Sequence, residues 1–329
     1  MDETTEGARG WRAELVQTFE NWSAHGASTQ GAALAFYTIF SLAPVLVVVI
    51  AVAGALFGAE AVRGQIYREF QGLMGRDTAA FIQGVLQSAA KRGSGLAAVL
   101  GTVTLLLGAS AVFVQLQESL NVVWAVAPRP GAAFTTLLRK RLLSFALVMG
   151  LGFLLAVSLV LSAALTAFGD FLERRLALPV NLLTVANGAV SLVVVTLLFA
   201  MIYRILPDVR LSWREVWTGG AVTAVLFVAG KALIGLYLGH TSIATTYGAA
   251  GSLVVILLWV YYSSLVFLFG AELTRVHSRR FRSRPARPEP GAVRVPEGDR
   301  SVPPSNRPSG APVAGAPAPP PRRAGGAAR

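Results

Sequence analysis

The chain has 329 residues, 54% hydrophobic and only 14% charged, with a mean hydropathy of +0.58. That balance excludes an ordinary soluble globular domain and points to a bundle of membrane-spanning helices. The net charge of +12 resembles a nucleic-acid signature until it is divided. From His277 onward 11 arginines face three acids, leaving +8, so residues 1–276 carry only +4.

The absence of cysteine removes disulfides, thiolate chemistry and Cys-metal sites. The first 31 residues contain Asp2, Glu3, Glu6, Glu14 and Glu20 and no short apolar core beside a small-residue cleavage site, so no cleavable signal peptide is expected.

Trp11, Leu15, Phe19 and Trp22 recur at spacings of four, four and three, which predicts an amphipathic helix within residues 1–31, lying along the membrane surface and ended by Gly26. An uncharged apolar run follows, giving a first span at about 32–58 with Pro44 inside it, a packing kink or a gate. In residues 60–92 charges alternate with apolar positions at helical period. Gly75-Arg76-Asp77 reads as a turn with Asp77 as N-cap, so a helical hairpin outside the bilayer is expected. A second span at about 95–116 is expected to run on through Gln117, Glu118, Asn121 and Trp124 until Pro128-Arg129-Pro130-Gly131 stops it.

Further spans are predicted at about 142–168, 180–206, 216–239 and 249–271, each long enough to cross a hydrocarbon core at about 1.5 Å per residue. The fold class is thus all-α, a polytopic membrane protein with six transmembrane helices in residues 32–276. Twelve of the 17 prolines lie between Pro285 and Pro321, so residues 277–329 are expected to form a disordered tail.

Six spans place both termini on one side. That side carries fifteen basic residues and the other seven, which favours cytoplasmic termini and a periplasmic hairpin. The patch at Arg275, Arg279, Arg280, Arg282 and Arg284 directly follows a span and is expected to meet anionic lipid headgroups.

Three segments together resemble one family: Ala33-Leu34-Ala35-Phe36-Tyr37 with Ser41-Leu42-Ala43-Pro44, Leu116-Gln117-Glu118-Ser119-Leu120-Asn121-Val122-Val123-Trp124, and Tyr203 to Leu273. In order and spacing, over Trp11 to Arg275, they are similar to the YihY/BrkB family of bacterial inner-membrane proteins. The resemblance implies a six-span protein of the bacterial inner membrane. Members have been described as a ribonuclease, as a virulence or serum-resistance factor, and as lipid or ion exporters.

A nuclease needs clustered carboxylates and histidines around metal, or a paired acid and base. His25, His240 and His277 stand in separate segments expected at different membrane levels, and neither a His-Glu-x-x-His nor a Walker loop occurs. No enzyme, metal, cofactor or nucleic-acid partner is read, and homo-oligomerisation is left open. The expected function is transport or export of an amphiphilic or charged envelope-related substrate such as a lipid. The alternative is a non-transporting scaffold for envelope assembly.

Tyr37, Ser41, Gln115, Glu118, Asn121, Arg204, Asp208 and Glu272 are placed by the topology toward one side, where they would line an inward-facing vestibule. The plainer reading of Arg204, Asp208 and Glu272 is interfacial charge holding helix ends in register. Glu118 is expected to pair with a basic helix end, Arg204 first. Lys231 is about 22 Å into its span. Its stripe of Gly220, Ala224, Val228, Gly235 and Gly239 is expected to face another helix or a wet cavity, the alternative being a lysine that snorkels.

Overall fold

The computed structural model describes residues 3–90, 96–128, 180–240, 243–281, 286–289 and 292–295. The expected span at 142–168, Arg282, Arg284 and residues 296–329 lie outside the described residues. Helices dominate: α1 (Glu3–Ala24), α2 (Ala27–Phe57), α3 (Ala59–Met74), α4 (Arg76–Ala90), α5 (Leu96–Val123), α6 (Val180–Ile205), α7 (Trp213–His240) and α8 (Ile243–Phe281). Two short strands, β1 (Val126–Pro128) and β2 (Ala292–Arg294), pair antiparallel with Ala127 opposite Val293. Among the described residues four helices are long and apolar enough to cross a membrane, over Ala27–Ala55, Gly188–Ile205, Trp213–Ile234 and Ala250–Arg279.

Glycine sets two of the breaks between helices. Gly26, at φ 64°, separates α1 from α2, and Gly75, at φ 87°, separates α3 from α4. Both values are left-handed conformations that a Cβ would strain. At the start of α7 the Glu215 carboxylate accepts from the Ser212 amide at 2.7 Å, one half of a capping box.

The bundle centres on α6, α7 and α8, brought close by small residues. A Cβ at Gly219 would stand 2.7 Å from the Gly270 carbonyl, and one at Gly270 would stand 2.6 Å from the Tyr203 hydroxyl. Tyr203 uses that proximity. Its fully buried hydroxyl donates to the Phe267 carbonyl at 2.7 Å and lies 2.8 Å from Thr223 Oγ1, tying α6, α7 and α8 together where no water competes. On the other flank Ser41 of α2 donates to the Gly108 carbonyl of α5 at 2.6 Å, and Pro44 fills the space beside Gly108. Pro44 therefore packs a helix crossing.

The α3–α4 pair, expected as a helical hairpin outside the bilayer, packs on the bundle. Ile82 and Leu86 join a buried cluster with Ile50 of α2 and Ile256 of α8, while Glu60, Arg63, Arg68 and Glu69 stay exposed. Alternating charge revealed an amphipathic pair, but the apolar face had to be buried against something, and α2 and α8 provide it. One expectation is corrected for the described part of the tail. Helix α8 runs on to Phe281, and 286–289 and 292–295 return to the body instead of being disordered, with Ala286 buried in the main core. Composition missed this because the segment is held by backbone pairing to β1 and to Val209, for which proline content is a poor guide.

Candidate functional site

One end of the bundle gathers the C-termini of α1, α5, α6 and α8 with the N-termini of α2 and α7, and among the described residues most buried polar side chains sit there. Gln117 and Asn121 lie four apart on α5 and so share a face. That face meets Asp208, which follows Pro207 at the end of α6. Asp208 accepts from Gln117 Nε2 at 3.0 Å and from Asn121 Nδ2 at 2.9 Å, and its own amide donates to Asn121 Oδ1 at 2.9 Å. The Asp208 carbonyl in turn accepts from the Glu289 amide at 2.9 Å, and the Arg210 amide donates to the Arg287 carbonyl at 3.1 Å. The returning segment thus fastens the Asp208 loop from outside.

A second cluster joins α1 to α8. Glu14, Thr18, Trp22 and His25 recur at four, four and three residues, a face that the Gly26 turn lays on α8. His25 Nδ1 is hydrogen-bonded to Glu272 Oε1 with both side chains at most 2% exposed, and Arg275 Nη1 lies 3.9 Å from Glu272 Oε2. Farther along, His277 Nδ1 meets Glu14 Oε2 at 3.2 Å while Trp11 stacks on the His277 ring at 6.0 Å. Trp22 Nε1 donates to the Leu265 carbonyl at 3.1 Å. Leu15, Val16 and Phe19 are left exposed on the opposite side of α1. The polar face of α1 is therefore its inner one.

These contacts correct the reading of the histidines. His25 and His277 both lie in the α1–α8 contact, each against a carboxylate. Among the described residues no group of three or more His, Asp or Glu side chains could hold a metal ion. Arg275, expected at lipid headgroups, is instead 3% exposed beside Glu272. Arg279 is exposed.

The remaining candidates are dispersed. Arg204 lies over the Trp213 ring at 4.4 Å and forms no ion pair with Glu118, which is exposed. The acid that closes the α5–α6 contact is Asp208. Gln115 Nε2 reaches Ser119 Oγ at 3.5 Å within its own helix. Tyr37 is exposed, edge-on to Phe36 at 5.8 Å. The buried line of α7 runs through Val216, Gly220, Ala224 and Gly230, with Val228 exposed, so Lys231 borders that line half-buried. Lys231 makes no hydrogen bond or ion pair with a described residue. Sequence reasoning missed Gln117, His25, Glu14 and His277. The first was legible as the i, i+4 partner of Asn121; the others needed the Gly26 turn.

Comparison with known proteins bears on this arrangement. A family profile described as "Virulence factor BrkB" matches residues 18–294, a range that takes in both the α1–α8 cluster from Thr18 onward and the returning segment. The chain is 29% identical over 272 residues to a protein of Verminephrobacter eiseniae named "UPF0761 membrane protein", covering 80% of this chain and 62% of that relative. A Ralstonia nicotianae protein of the same name is 28% identical over 280 residues, covering 83% of this chain and 62% of the relative. One from Pseudoalteromonas atlantica is 26% identical over 257 residues, covering 76% and 81%. The chain thus spans about three fifths of the length of the first two relatives. No solved structure matches it.

Proposed function

The chain belongs to the BrkB family of integral membrane proteins, and from that premise we propose that it transports or exports an amphiphilic or charged envelope-related substrate such as a lipid. The observation that supports this is the sealed His25–Glu272–Arg275 cluster at the end of a membrane-length helix. Taking ions such as Glu272 and Arg275 out of water costs several kcal/mol each, about as much as their mutual attraction returns, so a buried pair is a weak brace. Ionisable groups in membrane segments more often serve a pathway or a switch.

One observation favours the scaffold reading. Gln117, Asn121 and Asp208 hydrogen-bond one another, and residues 286–289 are bonded to the Asp208 loop from outside, so this part of the end is fastened rather than open. In the transport reading that clasp is the fixed frame, and α1 with α8 is the part that responds. Glu118 and Lys231, which the clasp does not use, remain the proposed substrate-pathway residues, together with Tyr37, whose exposed ring faces outward from α2. Both termini lie in the cytoplasm of a bacterial inner membrane on this reading, with Arg279, Arg280, Arg282 and Arg284 toward anionic headgroups. The reading involves no catalysis.

The test is lipid translocation in proteoliposomes. Lys231→Met is expected to insert and fold normally while slowing translocation, and Lys231→Arg to retain part of it. Full activity of Lys231→Met removes that residue from the pathway.

A further inference from the structure

Between α2, α4 and α8 lies a cavity of about 120 Å³. Ile39, Ala43, Leu46, Ile82, Leu86 and Ile256 line it, and every other lining side chain is apolar as well. Apolar cavities of similar size, about 150 Å³, stay dry and take up small hydrocarbons. This one is not sealed. Val85 and Leu253 of its lining are 37% and 38% exposed, so it reaches the surface. There it joins the exposed apolar face formed by Val254, Leu257 and Leu258 of α8, a stretch long and apolar enough to meet lipid. Its α2 wall, 39–46, is in the middle of the Ala27–Ala55 span.

A second observation concerns α4 just beyond the cavity lining. Thr78 stands one turn before Ile82 on the same face of α4. It is completely buried, and its hydroxyl has no hydrogen-bond partner among the described residues. A buried hydroxyl left in that state costs about 1–3 kcal/mol, which an acceptor supplied by a ligand would recover. An apolar cavity open to the lipid face fits an acyl chain, and a hydroxyl donor on α4 one turn beyond its lining fits an ester oxygen. The amphipathic form of α4 fits the same occupant, because its apolar face covers the chain while its outer face, with Gln83 and Gln87 exposed, can stay wet.

We propose that this cavity binds one acyl chain of a membrane phospholipid, with the Thr78 hydroxyl donating to an ester oxygen. The inference deepens the transport reading by naming the apolar part of the substrate, and rests on that reading for its purpose. Occupancy itself can be tested separately. The full chain is reconstituted in phosphatidylethanolamine–phosphatidylglycerol vesicles containing a phosphatidylglycerol with a diazirine in one acyl chain. After irradiation the adducts are mapped by peptide mass spectrometry. Adducts are expected on 39–46 and 81–86 at least five times more densely than at Leu233, an exposed position on α7 that reports ordinary lipid contact. Ala43→Phe, which fills the cavity, should bring the cavity adducts down to the Leu233 level and leave those at Leu233 unchanged, and Thr78→Val should lower the cavity adducts about threefold. Labelling of 39–46 and 81–86 no denser than at Leu233 in the wild-type chain overturns the proposal, whether or not either variant folds. Dense labelling that Ala43→Phe leaves intact in a folded protein also overturns it, and labelling unchanged by Thr78→Val removes the ester contact. Translocation without such labelling would end this inference and leave the transport reading standing; labelling without translocation would do the reverse.

Discussion

Glu272 is 1% exposed, and its Oε1 is bound by His25. Replacing His25 by leucine removes that hydrogen bond and leaves the buried carboxylate to Arg275, 3.9 Å from its other oxygen; breaking a buried pair costs up to about 3–5 kcal/mol. Replacing Glu272 by glutamine in the same chain removes the negative charge while keeping a side-chain oxygen beside Arg275. The double variant is therefore expected to unfold at a higher temperature in detergent than His25→Leu alone, with a coupling above about 1 kcal/mol. Additive effects of the two single changes would show that the pair is not a unit. At this scale the sequence was partly legible. Asn121, Asp208 and Glu272 were singled out because polar groups among apolar runs are costly, and all three are in buried or half-buried hydrogen-bonded clusters. Their partners were not legible, since pairing depends on which helix ends meet. Glu118 was assigned Arg204 on charge alone, whereas Arg204 lies on Trp213 and the α5 contact is made by amides to Asp208.

Helix placement depends on surfaces that periodicity cannot assign to a neighbour. The extents of α1, α2, α6 and α7 follow closely from apolar runs, proline and glycine. That α1 turns its polar stripe inward and that α4 reaches the wall of α2 do not, because an amphipathic helix has two faces and its sequence does not say which is covered. The α7–α8 crossing gives a direct check. A methyl at Gly270 would meet the Thr223 hydroxyl and the Tyr203 oxygen, so Gly270→Ala should force the helices apart at a cost of about 1–3 kcal/mol. Thr223→Ala in the same chain should recover part of this, read as thermal stability in detergent. Equal stability of Gly270→Ala and wild type would mean that the crossing is looser than the structure has it. The returning segment supplies another check. Val295 donates to the Ala125 carbonyl at 2.9 Å, and β2 pairs with β1. Ending the chain after Val295 should leave thermal stability unchanged, whereas ending it after Phe281 should lower it measurably. Identical curves for the two truncations would show that residues 286–289 and 292–295 add nothing to the fold.

For the whole molecule, orientation and activity follow from different features and should be measured separately. The excess of arginine and lysine on the side of the termini predicts that a reporter fused after Val295 reads as cytoplasmic and one inserted at Gly75 as periplasmic. The opposite pair of signals would invert every assignment of sidedness, leaving the packing untouched. Transport requires more, namely that the fastened end formed by Asp208 and the returning segment serve as a frame while α1 and α8 respond through His25 and Glu272. The most direct measurement is therefore the rate at which a fluorescent phosphatidylglycerol crosses the bilayer of vesicles containing the purified full chain. The account predicts a rate at least tenfold above that of protein-free vesicles, and a loss of most of that gain in a folded Glu272→Gln variant. A wild-type rate equal to that of protein-free vesicles would contradict it and leave the scaffold reading.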